Sequence, residues 1–107
     1  MAVDSGAALT EAVYYILLSL HTPLHGYGIM QKAEGMSGGR VRLAAGTLYG
    51  ALNTMLEKGW ICGLPGESER KKEYVITELG KSMAQNELKR LRELVRSGEE
   101  VMGGERP

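Results

Sequence analysis

The chain has 107 residues, a length that suits one domain with a small core. Thirteen basic and 13 acidic residues cancel to a formal net charge of zero, so any nucleic-acid surface must come from charge placement, not from a basic excess. The single Cys62 excludes an intramolecular disulfide and a cysteine-built zinc site, and reads as a half-buried small hydrophobe.

Residues 1–8 are small and polar and read as a disordered lead. The first helix is expected over about 9–21, because Leu9, Val13, Ile16, Leu17 and Leu20 fall on one apolar stripe, with Thr10 as N-cap and Pro23 as the stop. The apolar run Ala12–Leu20 is too short to cross a bilayer, and no basic residues precede it as they would in a signal peptide. These features predict a cytoplasmic protein with no membrane contact. A second helix is expected over 26–36, with Tyr27, Met30 and Ala33 on one side and Ile29 flanking, until Gly35, Gly38 and Gly39 break it. Arg40-Val41-Arg42-Leu43 alternates polar and apolar residues and predicts a short edge strand.

A third helix is expected over 44–58, with Leu48, Leu52, Met55 and Leu56 inward and Gly59 as its C-terminal stop. Strands follow at 60–64 and 73–77, separated by a polar segment that starts with Pro65-Gly66. Thr77 caps a last helix over about 78–101, and residues 103–107 form a tail. The predicted fold is mostly α with a small β-hairpin: a winged helix-turn-helix over 9–77 and a C-terminal dimerisation helix over 78–102.

Several short motifs fit this order. Pro23-Leu24-His25-Gly26-Tyr27 opens the second helix, and Gly46-Thr47-Leu48-Tyr49 with Leu52 opens the third. Gly59-Trp60-Ile61, Tyr74, Ile76-Thr77 and Gly80 flank the wing. In this order and spacing the chain resembles the PadR family of transcriptional regulators, from about Leu9 to the end of the last helix. The pattern departs from the family at Ala44-Ala45, where Ser-Pro is common, and at Gly50, where a basic or larger residue is common. The resemblance implies a dimeric DNA-binding repressor, often released by a small molecule.

The residues themselves give that expectation a chemistry. Gly46 and Thr47 open the third helix, where free backbone N–H groups can meet a phosphate. The outward arc carries Thr47, Gly50, Asn53, Thr54 and Glu57, and the amide of Asn53 can pair with adenine. Tyr49 lies at the border of the apolar stripe, its hydroxyl in reach of DNA. Arg40 and Arg42 precede the helix, and Arg70, Lys71 and Lys72 load the wing, alongside the acidic Glu67 and Glu69. The competing reading is a winged-helix protein-interaction module with little DNA affinity, favoured by the lack of basic residues on the front half of the third helix.

The last helix places Leu88, Leu91, Val95 and Met102 on a seam that suits a second copy, with Lys81, Glu87, Lys89, Arg90, Arg92, Glu93 and Arg96 outward. Trp60, Tyr14 and Tyr15 could line a site for a small hydrophobic effector. His21 and His25 are separated by Pro23, so they do not share one helix; turn or capping roles suit them better than metal binding. No nucleophile, phosphate-loop or metal-ligand pattern is present, so the expected partners are double-stranded DNA and a second copy, with no cofactor and no catalysis.

Overall fold

The computed structural model describes residues 8–66 and 71–103; expectations for residues 1–7, for Glu67, Glu69 and Arg70, and for the tail beyond Gly103 lie outside them. The elements are α1 (Glu11–Ser19), β1 (Leu24–His25), α2 (Gly26–Met36), α3 (Ala45–Lys58), β2 (Ile61–Leu64), β3 (Glu73–Ile76) and α4 (Glu78–Met102). The three strands form one antiparallel sheet in the order β1-β3-β2. The fold is a winged helix-turn-helix, with α2 and α3 as the helix pair and β2–β3 as the wing.

Local chemistry sets most boundaries. The Thr10 hydroxyl accepts from the Val13 N–H at 3.1 Å and starts α1. At the other end, the His21 ring donates from Nδ1 towards the Leu17 and Leu18 carbonyls, at 3.2 and 3.1 Å. His25 does the reverse: its Nδ1 accepts from the Gly28 N–H at 3.1 Å and caps α2. At Gly59, with φ of 76°, α3 ends in a left-handed turn; Trp60 N–H reaches back to the Met55 carbonyl and Gly59 N–H to that of Leu56. Thr77 caps α4 by accepting from the Gly80 N–H at 3.1 Å, and its hydroxyl donates to the Gly59 carbonyl at 2.6 Å. That one side chain ties the end of α3 to the start of α4.

Ile16, Leu17 and Leu20 of the α1 region, Ile29 of α2, and Leu48, Leu52 and Met55 of α3 form the centre of the core. Ile61, Tyr74 and Ile76 close it from the sheet, and Ala84 from α4. Each fully buried leucine or isoleucine here contributes roughly 1.5–3 kcal/mol.

Four expectations are corrected. Arg40–Leu43 is not a strand. The third strand is instead Leu24–His25, paired with Tyr74 and Glu73 on the open edge of β3. Tyr27 does not face inward: it is 63% exposed, and α2 buries Gly26, Ile29 and Ala33. Cys62 lies exposed on β2, the edge strand of the wing. Glu87 is not an outward residue of α4 but is 4% exposed.

Candidate nucleic-acid interface

With Leu48, Leu52 and Met55 committed to the core, helical geometry turns Gly46, Thr47, Gly50, Asn53, Thr54 and Glu57 outward, and all six are exposed. The N-terminus of α3 is open. Its N-cap is Ala44, which offers no side-chain acceptor, whereas Thr10, His25 and Thr77 cap the other helices among the described residues. The first-turn N–H groups of α3 thus remain available to an anion.

Tyr49 is 41% exposed, and its hydroxyl lies against the α-carbon of Gly26 at the start of α2. Tyr27, one residue further on, is exposed as well, and the sequence reading missed it. The signal was present: Gly26, Ile29 and Ala33 repeat at helical spacing and leave Tyr27 outside.

The basic residues are less free than the sequence suggests. Arg40 is paired with Glu11 at the start of α1, which raises the guanidinium pKa and lowers that of the carboxylate, chiefly through their hydrogen bond. Arg42 Nε lies 3.5 Å from Glu34 of α2. These exposed pairs tie the α2–α3 connection to α1 and α2, and phosphate can compete for the same guanidinium groups. On the wing, Lys71 is exposed at the entry to β3. Lys72 is half-buried: its ammonium lies 5.6 Å from the centre of the Tyr74 ring. Arg70 lies outside the described residues.

Leu88 and Leu91 of α4 are half-buried, but every described residue from Arg92 onward is exposed, including Val95 at 57% and Met102 at 56%. Glu87 anchors the inner part of this helix. It takes two hydrogen bonds from Arg90, at 2.9 and 2.6 Å, and one from the Leu9 N–H at 3.3 Å. Tyr14, with Leu18, His21, Lys81, Ala84, Gln85 and Leu88, lines a cleft of about 290 Å³ between α1 and α4. Trp60 and Tyr15 are not on that cleft. Trp60 packs at the core edge with the Lys58 ammonium 5.4 Å from its ring centre, and Tyr15 sits beside Arg40.

Residues 15–86 match the profile of the transcriptional regulator PadR-like family. The chain belongs to that family. Its members are transcriptional regulators, not enzymes. A transcriptional regulator from Clostridium thermocellum is 19% identical, with a TM-score of 0.72 over 84% of this chain and 87% of its own. A PadR-family regulator from Eggerthella lenta is 20% identical, with a TM-score of 0.69 over 84% and 80%. Bacillus subtilis PadR, solved in complex with operator DNA, is 26% identical, with a TM-score of 0.59 over 71% of this chain and 45% of its own. No curated protein matches the chain in sequence.

Much of the PadR-like signature does structural work in this chain. His25 caps α2, Gly26 makes room for Tyr49, Gly59 turns α3 into the wing, Thr77 caps α4, and Gly80 lets α4 approach the Trp60 carbonyl. Tyr49 alone among these combines a packed ring with exposure on the α3 side.

Proposed function

We propose that this PadR-like protein binds double-stranded DNA as a homodimer, with α3 in the major groove and the β2–β3 wing beside it, and represses transcription until a small hydrophobic effector releases it. The observation that carries the reading is the state of α3: fully packed on one face, exposed on the other, and uncapped at the end that a recognition helix presents first. The Bacillus subtilis relative in complex with operator DNA supports it. Gly46, Thr47, Tyr49, Asn53 and Thr54 then meet the DNA, with Arg40, Arg42 and the wing residues Arg70, Lys71 and Lys72 on phosphates.

The dimer reading rests on Leu88, Leu91, Val95 and Met102 of α4, whose distal half is exposed among the described residues. The effector reading names Tyr14, Tyr15 and Trp60, of which Tyr14 lines the α1–α4 cleft. A cytoplasmic site of action fits, and among the described residues no helix is long and apolar enough to cross a membrane.

Titration of labelled duplex DNA at two salt concentrations is the test. Affinity should fall as salt rises, and the log–log slope should shrink by about 0.9 for each phosphate contact removed when Arg70, Lys71 and Lys72 are replaced by alanine. An unchanged slope in that variant removes the wing from the interface. Absence of binding to any duplex favours the second reading, a protein-interaction module, which the ion-paired Arg40 and Arg42 support.

A further inference from the structure

We infer that the exposed face of α3 reads A·T base pairs, through the amide of Asn53 and the methyl group of Thr54, and makes no direct contact with guanine. The inference rests on the reading of α3 as the recognition helix and adds which bases it selects.

Guanine presents two acceptors to the major groove and is read by arginine or lysine. The one cation of α3 is Lys58, exposed in its last turn; the three turns before it carry none. Around these turns, Arg40 and Arg42 are paired with Glu11 and Glu34, and Lys58 lies at the far end of the helix over the Trp60 ring. Adenine presents an acceptor beside a donor, the complement of a carboxamide. The Asn53 side chain is exposed and makes no hydrogen bond among the described residues. It sits in the third turn of α3, with both its donors and its acceptor unspent.

Thr54 is the second reader. Its hydroxyl donates to the Gly50 carbonyl at 3.2 Å. The polar end of the side chain is thereby turned back onto the helix, and the methyl is left as the group to meet a partner. The complement of a methyl in the major groove is the C5-methyl of thymine.

Both side chains are short and can reach a base edge only if the helix sits deep. Gly46 and Gly50 supply that depth: at either position a Cβ would have nothing within 4 Å, so the surface there is bare backbone. Glu57, which could accept from cytosine, lies in the last turn of α3, away from the end that enters the groove first.

The experiment is selection of binding sites from randomised duplexes by the full chain, followed by titration of the selected duplex and its variants. A·T pairs should be enriched at the positions facing α3. Replacing the contacted thymine by deoxyuracil should weaken binding about fourfold, the worth of one buried methyl. Thr54→Ser keeps the hydroxyl, lacks the methyl, and should erase that difference. Asn53→Ala should lose about tenfold of the preference for A·T over G·C while its salt slope stays unchanged. Both positions are exposed, and circular dichroism verifies that the variants fold. Selection of G·C pairs at these positions, indifference of the parent to deoxyuracil, or full discrimination by Asn53→Ala would overturn the inference. If salt-dependent binding persists in those cases, the DNA-binding reading stands without it; no binding to any duplex overturns both.

Discussion

Gly50 and Gly80 are helical glycines with opposite surroundings, and the same substitution should act on them with opposite sign. Nothing lies within 4 Å of a Cβ at Gly50. Gly50→Ala should therefore stabilise the fold by about 1 kcal/mol through helix propensity alone. It should also weaken DNA binding, because the added methyl holds α3 off the groove. Thermal unfolding and DNA titration on one sample check both halves, and a more stable variant with undiminished affinity would exclude close approach at this position. At Gly80 a Cβ would fall on the Trp60 carbonyl and 2.7 Å from Ile76 Cγ1. Gly80→Ala should cost about 1–3 kcal/mol, since backbone must move to admit it. Tyr49 offers a third test at this scale. Its hydroxyl rests on Gly26, yet the side chain is partly open to solvent. Tyr49→Phe should leave the unfolding midpoint nearly unchanged and lower DNA affinity; equal affinity would make the tyrosine a packing residue only.

The helices and the hairpin were legible in the sequence because their signals are local. Thr10, Gly59 and Thr77 mark boundaries by their own chemistry, and the stripes Ile16–Leu17–Leu20 and Leu48–Leu52–Met55 repeat at the helical period. The third strand was not legible. Two residues carry no periodicity, and Leu24–His25 becomes a strand only because β3 has an edge to offer. Arg40–Leu43 shows the converse. Its alternation is real, with Val41 and Leu43 half-buried and Arg40 and Arg42 exposed on ion pairs, but β1 already occupies the edge such a strand would need. Glu87 was hidden for a related reason: its burial depends on Leu9, 78 positions away, donating to it. Its carboxyl is held below the ordinary 4.5, first by the hydrogen bond from Arg90, with a smaller opposing effect of burial. A depressed folded-state pKa means stabilisation that is present above the unfolded value and lost as pH falls through the folded one. Glu87→Gln should cost about 1–2 kcal/mol near neutral pH. Its deficit against the parent should close as pH drops below 4.5, the ordinary carboxyl value. Denaturant unfolding across that range is the measurement, and a pH-independent deficit would show that packing, not charge, explains the loss.

At the scale of the whole molecule, α4 divides into an anchored half and a free half. Glu78 to Leu91 pack on α1 and the sheet, or lie beside residues that do, whereas Arg92 to Gly103 are exposed throughout. Leu94, Val95, Val101 and Met102 are thus exposed apolar residues with no cover among the described residues. Leu88→Glu with Leu91→Glu should give monomers in sedimentation at micromolar concentration, with only weak, non-specific DNA binding left; a dimer that survives both charges would move the interface elsewhere. The two recognition helices of the proposed dimer should then read half-sites about one DNA turn, ~34 Å, apart. The free half of α4 carries a further consequence. A helical segment of some dozen residues is marginal by itself in water. In the proposed homodimer part of its backbone order is supplied by mass action, so dilution that separates the copies should also fray the helix. Far-ultraviolet ellipticity per residue should rise with protein concentration and level off where dimers are saturated. The ordered length of the chain would then follow its own abundance.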